Sequence, residues 1–179
     1  ARVVGITLAV LLLVCAGAVW WVGQTTSFVR WALDRAVAAS DGRIYYVLCS
    51  EAFDLAGQMY VYDPRTDTVR HLGDLTAACG EAGRKVIAQG KSHVNFVEAN
   101  GKLYFATHVG YYSIIDGMEK TGIPPAGYEP YPGGHFLAFD MKSGAFEELA
   151  LAPHGEGILT MNMDARRGRI FGITWPSGY

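Results

Sequence analysis

The 179-residue chain carries five histidines, and four of them, His93, His108, His135 and His154, fall at or near the ends of segments that read as β-strands. In an antiparallel sheet the start of one strand and the end of the next lie at the same end, so these four are expected to open on one side. Neutral imidazoles grouped in this way bind a divalent cation or pass protons. His93, His108 and His135 are the candidate metal ligands. His154 and Glu156 join them as candidate catalytic groups, with Arg166 or Arg169 as anion contacts. The competing reading is that isolated histidines at strand ends hydrogen-bond loop carbonyls. It is the favoured one, because no HExxH, HxH or paired-carboxylate spacing supports a metal. His71, inside an amphipathic strand pattern, is expected on the solvated surface.

Cys49 and Cys79 flank one predicted unit and are the candidate disulfide, a bridge worth ~3 kcal/mol if formed; the alternative is two separate buried thiols. Cys15 lies in an apolar run and reads as a small hydrophobe. There is no CxxC, haem-attachment motif, GxGxxG, GxxxxGK[ST] or GxSxG, so no cofactor is expected and nucleotide folds and α/β-hydrolase chemistry have no support. With 15 Lys plus Arg against 17 Asp plus Glu the net charge is -2, which leaves no basic surface for nucleic acid.

The elements that must position these residues show themselves as repeats. One phrase recurs at Asp41-Gly-Arg-Ile-Tyr-Tyr-Val, Asn100-Gly-Lys-Leu-Tyr-Phe-Ala and Arg167-Gly-Arg-Ile-Phe-Gly-Ile, each a Gly turn leading into a β-branched and aromatic run. Asn100-Gly101 is a favoured hairpin pair, since both positions accept positive φ. A second phrase spans 57–72 and again 134–149: an aromatic strand ends at Asp63 or Asp140, whose carboxylate can cap an Asx-type turn before an amphipathic strand returns. Strands are expected at 43–49, 58–63 and 67–72; at 92–98, 102–108, 135–140 and 145–149; and at 158–164 and 169–175. The Tyr-, Gly- and Pro-rich insertion 109–134 has the length of a functional or disordered loop.

The phrases GQMYVYDPRTDTV (57–69), GGHFLAFDMKSGAFEEL (133–149) and RGRIFGITWPSG (167–178) resemble a stretch of a bacterial β-propeller of the Kelch or quinoprotein-like kind. The resemblance implies antiparallel four-stranded blades over 41–179, about two and a half of them, and specifies architecture better than activity. Ring closure needs more blades, so a neighbouring subunit or a longer polypeptide is expected to cover the open edges.

Before that region, Val3 to Val22 are 20 consecutive uncharged residues, enough to cross the ~30 Å hydrocarbon layer as a helix. Trp20 and Trp21 close the run as an interfacial pair. A signal peptide cleaved near Ala16-Gly17-Ala18 is the competing reading. Phe28 and Trp31 belong to an amphipathic pattern over Ser27 to Ala39 that suits an interfacial helix, with a plain linker or a first strand at Ala36 to Ala39 as alternatives. The expected organisation is therefore a transmembrane helix at 1–23, a juxtamembrane segment at 24–40 and a mostly β, incomplete propeller-like body at 41–179. The expected molecule is a single-pass inner-membrane protein with a cytoplasmic N-terminus and a periplasmic C-terminal part. Its expected role is that of a non-catalytic scaffold subunit contacting the bilayer and the protein subunits of a larger complex, such as one of photosynthetic or respiratory electron transfer. The alternative is a membrane-tethered propeller enzyme, a lyase or hydrolase, with a histidine-lined face that takes a divalent metal.

Overall fold

Alternation of apolar and polar residues is carried through into strands wherever one face meets the core. In the computed structural model, which describes residues 37–178, β1 (Val37–Ala38), β2 (Ile44–Leu48), β3 (Gln58–Asp63) and β4 (Thr68–Asp74) form an antiparallel meander in that order. Met59 and Val61 of β3 and Tyr45 of β2 point inward and are buried, while Tyr46 and Tyr60, opposite each other in the register, stack on the other face at 5.7 Å. A second sheet has the order β10-β9-β6-β5, with β5 (Val97–Ala99), β6 (Lys102–Ala106), β9 (His135–Asp140) and β10 (Phe146–Leu151). Leu103, Phe105, Leu137 and Phe139 from this sheet join Tyr45, Met59 and Ile158 in one core. At Ala138, beside Leu137 and Phe139, both faces of β9 are covered.

Two hairpins complete the described chain: β7 (Tyr112–Ile115) with β8 (Met118–Thr121), and β11 (Gly157–Asp164) with β12 (Arg169–Trp175). Among the described residues the one α-helix, α1 (Leu75–Ala78), is one turn long and begins where Asp74 accepts the Ala77 N–H. The expected turns are present. Asp63 accepts the Arg65 N–H, and Asp140 accepts those of Lys142 and Ser143. Asn100 and Gly101, at φ 52° and 75°, close the β5–β6 hairpin.

Several expectations are corrected. Among the described residues the sheets have four, four, two and two strands and none closes, so residues 37–178 form small open antiparallel sheets rather than propeller blades in a ring. The insertion carries a hairpin of its own, β7–β8, whereas the strands expected at 158–164 and 169–175 are present as β11 and β12. The strand expected at 92–98 shrinks to β5. Val97 pairs with Tyr104 and Lys91 bridges His108, so five residues, 92–96, face three, 105–107, and the ladder breaks between them.

Among the described residues no helix is long and apolar enough to cross a membrane, and the transmembrane and membrane expectations have no described helix behind them. The apolar run 3–22, Trp20, Trp21, Phe28 and Trp31 lie outside the described residues. At the described end of the juxtamembrane segment Val37–Ala38 is a strand, as in the third of the readings weighed there, and not part of a helix reaching residue 39.

Candidate functional site

The four histidines separate into different environments, and the pleat of the sheet is the reason. Thr107 and His108 follow β6 as neighbours in an extended segment, so their side chains leave on opposite faces. The Thr107 hydroxyl accepts the His135 backbone N–H at 2.8 Å, whereas the His108 ring lies edge-on to His93 at 4.8 Å, to Trp175 at 5.5 Å and near Tyr112 at 6.2 Å. His154 sits exposed in a 3-10 turn at Pro153–Gly155 with φ 57°. Glu156 is buried and accepts the Ser177 N–H at 2.9 Å, so it fastens the segment after β12. The proposed ligands His93, His108 and His135 do not converge, and among the described residues no group of three or more His, Cys, Asp or Glu is placed to hold a metal. Cys49 is exposed and Cys79 buried, and the two thiols are not bonded. His71 is exposed as expected, and its Nε2 lies 2.7 Å from Gln58 Oε1.

His135 opens β9 and is clamped from both sides. Its Nε2 lies 2.8 Å from Glu81 Oε1 and its Nδ1 2.9 Å from Glu148 Oε1. Carboxylate oxygens only accept, so both ring nitrogens donate and the ring is an imidazolium. Burial alone pulls its pKa down, but the hydrogen bonds and charges of Glu81, and then of Glu148, more than reverse this and raise it. Glu81 is only 2% exposed, and its second oxygen accepts from Gln89 Nε2 at 3.1 Å.

Gln89 is fully buried and is the hub of the cluster. Its Nε2 also donates to the Gly133 carbonyl at 2.8 Å, and its Oε1 accepts the hydroxyls of Thr107 at 2.7 Å and Tyr131 at 2.6 Å. Burial raises the pKa of the Tyr131 phenol and of the Cys79 thiol, which contacts Thr107, so neither is a nucleophile at neutral pH. The network is thus a largely buried polar cluster that holds one imidazolium between two carboxylates, Glu81 buried and Glu148 partly exposed.

The His108 side has a different character. Its Nδ1 is buried with no hydrogen-bond partner and rests against Gly157, where an added Cβ would stand 2.1 Å from that nitrogen. Burial, then the His93 and Lys91 charges, push its pKa down to about 3, so it is neutral near pH 7. Lys91 is paired with Glu51 at 2.9 Å and its ammonium stands 4.7 Å from the centre of the Tyr112 ring.

A cleft of about 410 Å³ opens beside the polar cluster, with Asp54, Asp74, Thr76, Arg84 and Tyr128 on its walls and Glu81 at its inner side. The residues that build this region, Glu81, Gln89, Thr107, Tyr131 and Glu148, carry no motif. Only His135 among them is marked by residue type. Comparison of the chain with models of known protein families, with curated proteins and with solved structures returns no match.

Proposed function

We propose that the chain is a non-catalytic docking subunit that receives an extended segment of a partner protein along β12. The observation that carries this reading is the outer edge of the β11–β12 hairpin. β12 is seven residues long, no strand pairs with its outer edge among the described residues, and its outward side chains Phe171 and Ile173 are 59% and 53% exposed. On β11 the residues opposite them are Asn162 and Thr160, with the exposed Leu159 at the register shift beside Thr160. A long, apolar, unpaired edge offers backbone hydrogen bonds to an added strand, and alternate side chains give that strand its specificity. Arg166 and Arg169, both exposed at the start of β12, fit a segment that is apolar at alternate positions and acidic at the end it lays beside them. The groups capable of acid–base chemistry favour binding over catalysis, because His135 is saturated by two carboxylates and His108 is buried and neutral.

The test is titration with a synthetic strand-forming peptide of that pattern, Val and Thr alternating behind a pair of Glu, read by amide exchange. Saturating peptide is expected to slow exchange across 169–175. The double variant Phe171→Lys, Ile173→Lys is expected to weaken binding by at least about tenfold while changing stability by under ~0.5 kcal/mol, since both side chains are exposed. Protection of the β12 edge without added peptide in the lone chain, or equal binding by the variant, would overturn the reading.

A further inference from the structure

We propose that Glu81, His135 and Glu148 form a proton-operated latch that fastens the segment after α1 to the second sheet and so holds the inner wall of the cleft in place.

The segment 79–88 contributes no strand to either sheet. Its backbone is held by local turns, such as Arg84 N–H to Glu81 O, and by a few contacts with neighbouring loops: the Val86–Glu129 bridge, the Ile87 N–H to the Glu129 carbonyl and the Ala88 N–H to the Phe53 carbonyl. Ala82 to Lys85 are exposed. By contrast His135 is fixed to the sheet, since it pairs with Leu151 and its N–H is held by Thr107. Cys79 and Val86 to Ala88 are buried and anchor the two ends of the segment, so the Glu81 side chain is the tie between its middle, 80–85, and a rigid strand. Glu148 completes the clamp from β10, immediately before the register shift between Glu148 and Ala150.

The charge balance decides what the tie depends on. The titratable groups around the ring are Glu81 from the loop, Glu148 from β10, Cys79 from the end of α1 and Tyr131 from the segment before β9, with Asp74 acting on Cys79 from the start of α1. Burial keeps the thiol and phenol protonated near neutral pH, so the His135 proton is the positive charge that the buried Glu81 carboxylate meets. When that proton leaves, the ring is neutral and one of its nitrogens faces a carboxylate as acceptor to acceptor; Glu81 then meets no positive charge and holds at most the neutral donors of the ring and of the Gln89 amide. A buried carboxylate in that state is driven toward water. The water it can reach is the cleft, whose wall it already forms. Release thus swings residues 80–85 outward between their buried ends and widens the cleft, and protonation draws them back.

The sign follows from proton binding. His135 holds its proton more tightly in the latched state, so the latch is complete below about pH 6.5 and is lost as pH rises through the raised midpoint. The experiment is amide exchange on the full chain, corrected for intrinsic rates, together with an NMR titration of the His135 ring. In the native protein the opening constant for the hydrogen-bonded amides of 80–85 is expected to rise up to about tenfold per pH unit between about 6.5 and the His135 midpoint, while staying well above that of β3 and β9 amides, which open only with the whole fold. The partly exposed Glu148 allows a mild variant: Glu148→Gln is expected to lower the His135 midpoint by about half a unit or more and to move the rise in exchange with it. A flat exchange profile, a His135 midpoint at or below about 6.5, a midpoint unmoved in Glu148→Gln, or opening constants for 80–85 no larger than those of β3 and β9 would each overturn the latch.

Discussion

Gln89 carries more of the polar cluster than its uncharged amide suggests. It makes four hydrogen bonds without reaching solvent, and each partner, the Glu81 carboxylate, the Gly133 carbonyl and the Thr107 and Tyr131 hydroxyls, is itself buried. Gln89→Leu preserves most of the volume and strands all four partners, so it is expected to cost ~3–5 kcal/mol in urea unfolding, well beyond the loss of one neutral hydrogen bond. A cost below ~1 kcal/mol would mean that water already satisfies these groups. Gly157→Ala tests the other side. The added methyl meets the His108 ring, and displacing that ring is expected to cost ~1–3 kcal/mol, with a change in the near-ultraviolet signal of Trp175. The sequence marks the histidines because their residue type advertises chemistry. It hides Glu81 because the carboxylate that binds His135 lies 54 positions away, at no spacing that any local pattern relates to it. It also suggests convergence where there is none: His108 and His135 sit at one end of adjacent strands, but Thr107 and not His108 faces the His135 side.

At the scale of elements, the strands were legible to within a residue or two wherever a Gly or Asp turn bounded an alternating run. The segments 58–63, 135–140 and 169–175 match β3, β9 and β12. What failed was the treatment of 109–134 as an undivided insertion. It contains Asp116-Gly117 between two short runs, a type I′ signal, and both residues have positive φ, 53° and 75°, where Ile115 pairs with Met118. Gly117 has open space around its Cα, so Gly117→Ala probes backbone strain alone. It is expected to destabilise by ~1 kcal/mol, and Gly117→Asn by less, because Asn tolerates the left-handed region. Equal stability of the two variants in thermal unfolding would show that the β7–β8 hairpin does not share in the cooperative unit. The break between β5 and the Lys91–His108 bridge was not legible, because nothing in the run 92–98 itself marks that it holds two residues more than the stretch it faces.

For the whole molecule, two buried histidines with opposite pKa shifts set the pH range in which the described fold is most stable. His108 binds its proton only near pH 3 in the folded chain but near 6.5 when unfolded, so the unfolded state takes up the extra proton and stability falls as pH drops from about 6.5 toward 3, by up to ~1.4 kcal/mol per unit. His135 has the reverse sign. Its pKa is raised in the folded chain, so the stabilisation present below about 6.5 is lost as pH climbs through the raised value. Urea midpoints measured from pH 4 to 9 are therefore expected to peak near about 6.5, with separable limbs. Asp63, paired with Arg65, and Asp140, at its Asx turn, are held below the ordinary carboxylate range and add to the acid limb, so the His108 part must be isolated by difference. His108→Phe keeps a flat ring against Gly157, Trp175 and Tyr112 and removes the titration; its acid limb is expected to be shallower between about pH 6.5 and 4, with the alkaline limb unchanged. The whole fold matters here because each ring is buried only while the second sheet, the β11–β12 hairpin and the loops between them remain packed. An acid limb of native steepness in His108→Phe would show that the buried ring is solvated, and the packing of Gly157 against it would then contribute nothing to the pH response.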